Sequence, residues 1–206
     1  MTPGRLITIE GIDGAGKTTL AAGLRDALTA DGHDVRLLRE PGGVHAAERI
    51  RDLVQDPDAR IGPRAEALLY AAARAQLVDE ALAPLLARGA LVLLDRFVDS
   101  SLAYQGAGRE LGIDAVREIN AFATGGLAPD RTLLLRLAPE QGRARARDRA
   151  TPPDRLEREA DEFFARIATA YDVLAAAEPA RIAVIDATQA SEQVLAEALA
   201  AVADLV

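Results

Sequence analysis

Eight residues near the N terminus, Gly11-Ile12-Asp13-Gly14-Ala15-Gly16-Lys17-Thr18, constrain the fold of the whole chain. They match G-x-x-x-x-G-K-[ST] in full, with an apolar run, Leu6–Ile9, leading in and a helical stretch leading out. Glycine there permits backbone conformations and a close approach that a Cβ would block. Successive N–H groups, aided by the helix N-terminus, can then wrap the α- and β-phosphates of a nucleotide. Lys17 would reach the β/γ oxygens, and the Thr18 hydroxyl would coordinate Mg²⁺.

Downstream, short apolar runs alternate with longer Ala/Leu/Arg-rich stretches, the pattern of a parallel sheet covered by helices. Strands are predicted at Arg5–Ile9, Val35–Leu38, Ala90–Asp95, Thr132–Leu137 and Ile182–Ile185. Helices are predicted at Lys17–Ala30, Ala46–Val54, Pro63–Arg88, Asp114–Ala123, from Pro139, at Glu157–Ala177 and at Ser191–Leu205. Pro84 predicts a kink or break near Leu82. The fold expected is α/β, a doubly wound five-stranded parallel sheet with helices on both faces and ligands at the carboxyl ends of its strands. A chain of 206 residues suits one domain.

Composition excludes several chemistries. There are no cysteines, so disulfides and thiolate catalysis are out, and two histidines, His33 and His45, make no metal cluster. A net charge of −8 argues against broad nucleic-acid binding. No apolar run reaches the ~18 residues of a membrane span, and no signal-peptide pattern opens the chain; a cytoplasmic protein is the default expectation. Of the 24 basic residues, Lys17 is the one lysine. A compact ammonium on a thin stem suits the space beside phosphate oxygens better than a guanidinium.

A phosphoryl-transfer site also needs an acidic residue at the end of a neighbouring strand, and Leu91-Val92-Leu93-Leu94-Asp95 supplies it, holding Mg²⁺ directly or through water. Further candidates are Arg39-Glu40-Pro41-Gly42-Gly43, then Arg51, then Tyr70 and Arg74 four apart on one helical face. Asp95-Arg96-Phe97 leads on to Ser100-Ser101-Leu102-Ala103-Tyr104-Gln105. Arg143, Arg145, Arg147 and Arg149 alternate just before a proline pair.

Taken together, GIDGAGKT, REPGG, YAAARAQ, DRFVDSSLAYQG, the APD at Ala128–Asp130, the DRLE at Asp154–Glu157 and the IDATQ at Ile185–Gln189 resemble the bacterial thymidylate kinase family across nearly the whole chain. The resemblance implies ATP-dependent, Mg²⁺-assisted phosphorylation of dTMP to dTDP by a homodimer. It assigns Gly11 to Thr18 to ATP and Thr18 with Asp95 to the metal. Tyr70 would stack on thymine and Arg74 would donate to a base carbonyl. Ser101 or Gln105 would bond another base edge, and Glu40 would line the acceptor site. Arg51 and Arg96 would grip the monophosphate, and Tyr104 would press on the sugar near C2′. Asp13 would approach the 3′-hydroxyl or a metal-bound water. With no arginine between Ile12 and Ala15, a lid at about 143–155 would carry the charge-neutralising arginine, with Arg147 and Arg149 the preferred candidates. The chain departs from the family at Val44, Phe97 and Arg136. Two rival readings are another small phosphate-loop kinase and a nucleotide-binding switch without turnover.

Overall fold

Each predicted apolar run pairs in parallel with another. A computed structural model describes residues 4–147 and 154–206, with strands β1 (Arg5–Glu10), β2 (Val35–Arg39), β3 (Leu91–Asp95), β4 (Arg131–Arg136) and β5 (Ile182–Asp186). They form one sheet in the order β2-β3-β1-β4-β5, all parallel. The helices are α1 (Lys17–Ala30), α2 (His45–Gln55), α3 (Pro63–Leu77), α4 (Ala83–Ala87), α5 (Val98–Ser101), α6 (Ile113–Thr124), α7 (Pro139–Arg147), α8 (Asp161–Ala177) and α9 (Ser191–Val202).

Side chains alternate across a strand, and those of the central strands divide between two apolar clusters. Ile7, Ile9, Leu91 and Leu93 pack with Leu20, Leu24 and Leu28 of α1. Leu6, Val92 and Leu94 pack on the other face with Leu77, Val78 and Leu82. Burial on both faces explains why these strands read as continuous aliphatic runs. Thr8 and Thr132 break the run in register with each other and satisfy one another, hydroxyl to hydroxyl, at 2.8 Å. Among the described residues, no helix is long and apolar enough to cross a membrane.

Three segments differ from the sequence-based expectation. The helix expected from Pro63 to Arg88 runs to Ala87, but Val78–Leu82 widens into a π-helical turn in which the Ala83 N–H reaches the Val78 carbonyl. Pro84 has no N–H, and its ring crowds the preceding turn, so widening replaces a break. Residues 98–108, for which no element is predicted, form α5 followed by a π-helical stretch, Leu102–Gly108. Ser100, Gly106 and Gly108 are poor helix formers, but the Glu10 carboxylate from β1 accepts the N–H groups of Phe97 and Ser100 in the first turn. A cap delivered from elsewhere in the chain leaves no local signature. Finally, α8 starts at Asp161 rather than Glu157. Asp154 Oδ1 accepts the Leu156 and Glu157 N–H groups, both at 2.9 Å, and holds Asp154–Glu157 as a turn.

Leu93 is fully buried at the middle of β3. Leu93→Ala should lower the unfolding free energy by about 3 kcal/mol in urea denaturation; a loss below about 1 kcal/mol would contradict a close-packed sheet interior.

Candidate active site

The carboxyl ends of β1, β2 and β3 open onto a cavity of about 590 Å³. Its floor is the Gly11–Thr18 loop. Gly16 takes a left-handed conformation (φ 95°) immediately before α1, turning the chain sharply into the helix. At Gly14 (φ 82°) a Cβ would lie 2.1 Å from the Gly142 carbonyl oxygen of α7, so loop and helix meet backbone to backbone. Lys17 is 7% exposed. Its Nζ donates to the carbonyls of Gly11 (3.0 Å) and Ile12 (2.9 Å), and Asp13 lies at 4.0 Å. Burial and the nearby Arg96 charge lower its pKa to about 8, against the pull of Asp13, Asp95 and Glu10.

Asp95 ends β3 beside this loop. Its Oδ2 is 3.4 Å from the Thr18 hydroxyl, and its buried Oδ1 has no partner among the described residues. The next residue, Arg96, is left-handed (φ 70°), a conformation that costs a non-glycine residue about 1–2 kcal/mol. The turn is fixed by its N–H, 3.0 Å from the Ile9 carbonyl. It aims the guanidinium back at the loop, where Nη2 meets Asp13 Oδ1 at 2.6 Å and the Tyr104 hydroxyl at 3.2 Å. Nη1 meets the Gly11 carbonyl and the Ser100 hydroxyl, both at 3.2 Å. Tyr104 in turn donates to Asp13 Oδ2 at 3.1 Å, with its ring under the Arg96 guanidinium (5.0 Å). Burial alone would raise the Asp13 pKa, but Arg96, Lys17 and the Tyr104 hydroxyl hold it at about 2.

On the far wall, Arg74 is fully buried and its guanidinium donates four hydrogen bonds. They reach Glu40, Ser101 (2.9 Å), the Phe97 carbonyl (2.8 Å) and Asn120. Glu40 is buried too. Its Oε1 has no partner, and burial, only partly offset by Arg74, raises its pKa to about 7. Arg51 and Arg39 both donate to the Pro41 carbonyl, at 2.9 and 3.1 Å, a neutral acceptor between two cations. Burial and the Arg39 charge lower the Arg51 pKa. Arg39 is also paired with Glu48 at 3.0 Å, so of the two it is Arg51 that suits an incoming anion. Tyr70, Ser101 and Gln105 complete the wall.

Arg145 on α7 lines the cavity and donates to the Ala187 carbonyl at 3.0 Å. Arg143 turns away to pair with Asp161 over the Phe164 ring. Arg147 ends α7, and Arg149 lies outside the described residues. Of the three departures, Phe97 is fully buried and packs against Arg74, whose guanidinium lies 5.4 Å from its ring. Arg136 pairs with Asp172 at 2.7 Å on the surface. Val44 precedes α2 and packs against the second apolar cluster.

Glu10, Asn120 and Glu66 escaped the sequence reading, and Ser100 enters it only as part of a longer run. Glu10 accepts from Phe97 N (2.8 Å), Ser100 N (3.2 Å), Ser100 Oγ (2.6 Å) and the Tyr171 hydroxyl (2.8 Å). An acidic residue closing an apolar strand, the signal that flagged Asp95, also marks Glu10. Glu66 precedes Tyr70 and Arg74 by four and eight residues, which places it on their helical face.

The family model for thymidylate kinase matches residues 9–198. The thymidylate kinase of Deinococcus radiodurans is 50% identical over 204 residues, spanning 99% of this chain and 98% of the relative. That of Lactobacillus delbrueckii is 50% identical over 196 residues, spanning 94% and 92%. The crystal structure of thymidylate kinase from Ehrlichia chaffeensis superposes with a TM-score of 0.80 at 26% identity, covering 97% of this chain and 98% of that one.

Lys17 supplies a pH test of the loop. Its ammonium is charged below pH about 8 in the ligand-free protein, and a bound polyphosphate favours the charged form. Affinity for a nucleoside triphosphate should therefore fall as pH rises through about 8, by up to about tenfold per unit. Titration calorimetry across that range checks this, and a flat profile would contradict phosphate contact by Lys17.

Proposed function

The chain belongs to the thymidylate kinase family and phosphorylates dTMP to dTDP; from that premise we propose that ATP is its donor, bound with Mg²⁺ on the Gly11–Thr18 loop, and that dTMP occupies the opposite wall. The observation that carries this reading is the shared cavity, in which Lys17 and Thr18 face Arg51, Arg96, Tyr70 and Gln105. The whole chain acts as one kinase domain in the cytoplasm, with a lid at about 143–155.

Thr18 and Asp95 fit a magnesium ion, being hard oxygen donors 3.4 Å apart, one of them with a buried carboxylate oxygen that lacks a partner. When bound, the ion neutralises charge on the transferring phosphates. The protein's own contribution is position and charge. Lys17 exchanges the Gly11 and Ile12 carbonyls for phosphate oxygens. Arg51 and Arg96 hold the acceptor phosphate, whose oxygen is nucleophile enough without a strong base. Tyr70 stacks on the base, and Glu40 closes the wall behind Arg74. With N–H groups already donated to Glu40, Ser101, Asn120 and the Phe97 carbonyl, Arg74 would reach a base carbonyl by sharing one of them, beside Ser101. Tyr104 sits against the sugar, with Asp13 at the 3′ side. From the lid, Arg145 joins Arg147 and Arg149 as a candidate for the γ-phosphoryl charge.

We also propose that a second copy of the chain covers the face made by α2, α3 and α6. That face exposes Leu53, Leu68 and Phe122, the last 92% exposed. Large apolar side chains open to water on adjoining helices suit a partner surface.

With ATP, Mg²⁺ and dTMP the recombinant protein should produce ADP and dTDP. Lys17→Arg should lose most of this activity while remaining folded, and Arg51→Ala should raise the KM for dTMP about tenfold or more. Turnover on AMP with none on dTMP would refute the assignment. In sedimentation velocity the chain should run as a dimer and Phe122→Glu as a monomer; an unaltered profile would place the interface elsewhere.

A further inference from the structure

Glu66 is fully buried on α3 and faces the cavity wall through a single neighbour, Gln105. Two guanidiniums clamp its carboxylate. Arg109 approaches both oxygens through Nε (3.2 and 3.1 Å) and one through Nη2 (3.0 Å), and Arg155 reaches Oε2 at 2.8 Å. Both arginines are fastened in turn. Arg109 is held by Glu159 (2.6 Å) and by the Phe163 ring (4.8 Å), and Arg155 by the Val54 carbonyl (3.0 Å). Held this way, the carboxylate has a fixed orientation. Its remaining bond is accepted from Gln105 Nε2 at 2.9 Å.

Gln105 is buried and lines the cavity. The two ends of a primary amide have nearly the same shape and opposite hydrogen-bond character. A carboxylate only accepts, so only the NH₂ end of Gln105 can face Glu66. Among the described residues no group donates to the side-chain carbonyl of Gln105, whose side-chain hydrogen bond is the one to Glu66. The edge it offers a ligand is therefore an acceptor beside the second N–H.

We propose that Glu66 is a positioning residue that sets base selectivity, locking the Gln105 amide in the orientation that takes an imide pyrimidine and refuses an aminopyrimidine. This rests on the reading that the base lies against Gln105. Thymine and uracil present an N3–H donor beside a C4 carbonyl acceptor, the complement of that edge. Cytosine presents the reverse order, an N3 lone pair beside an N4 amino group, so like would face like. Turning the amide over would suit cytosine, but would set a carbonyl oxygen against the Glu66 carboxylate. The device is blind to the thymine methyl group, so it treats dTMP and dUMP alike.

The test is kcat/KM for dTMP, dUMP and dCMP in the unmodified chain and in Glu66→Gln, whose amide can donate as well as accept. The preference for dTMP over dCMP should fall about tenfold or more, through KM, while the ratio of dTMP to dUMP stays within about twofold. An unchanged dTMP-to-dCMP ratio, or an equal loss on all three substrates, would overturn the proposal. Should the variant fail to fold, ¹⁵N NMR of the unmodified chain decides. One Gln105 side-chain proton should stay bonded to Glu66, unshifted, as dTMP binds, while its geminal partner moves; movement of both or neither would overturn it. An unmodified chain inert toward dTMP would instead remove the underlying reading.

Discussion

A buried carboxylate at the end of the central strand organises the site. Glu10 is fully enclosed, and burial together with the nearby Asp99 charge raises its pKa against four hydrogen bonds that favour the charged form. Those bonds tie β1 to the start of α5 and to Tyr171 of α8. They fix the residues after β3 in place, and with them the left-handed turn at Arg96. From there the order spreads in two directions. Arg96 braces Asp13 and Tyr104 above the phosphate loop. On the other side, the Phe97 carbonyl holds Arg74, which orients Ser101 and Glu40. Leaving one of these partners alone in the interior would cost about 3–5 kcal/mol, so the two walls of the cavity are not independent.

Arginine does most of this work because its planar fork can satisfy several fixed acceptors at once. Arg74 meets four residues, and Arg181 ties Asp99 to Thr132 and Glu178. Such guanidiniums are framework. Two of those facing the cavity have neutral partners, the Pro41 carbonyl for Arg51 and the Ala187 carbonyl for Arg145, whereas Arg96 is paired with Asp13. What each guanidinium is already bonded to differs from one arginine to the next, which composition cannot reveal.

Much of this was legible from the residues. The phosphate loop, the five strands, Asp95 and the Tyr70/Arg74 face all rest on local pattern, a period of two or of 3.6 and a glycine-rich turn. The rest depends on partners far away in sequence. Helix α5 takes its cap from Glu10, some 90 residues earlier. The segment from Glu157 looks helical by composition, but the Asp154 side chain claims the Leu156 and Glu157 N–H groups and the helix waits until Asp161. The family resemblance makes Arg74 a donor to the base, and only its surroundings reveal that its N–H groups are already shared out. Glu66 carries the same lesson: its helical face was visible, but not the two arginines that hold it.

The meeting of Gly14 with Gly142 has a mechanical consequence. With no side chain between them, the phosphate loop and the root of α7 share one surface without slack, and a Cβ on Gly142 would sit 2.6 Å from the Asp13 carbonyl oxygen. Neither element can tilt toward the other. The root of α7 therefore moves as one with the Gly11–Thr18 loop, and any bending of α7 relative to that loop has its fulcrum farther along the chain than Gly142.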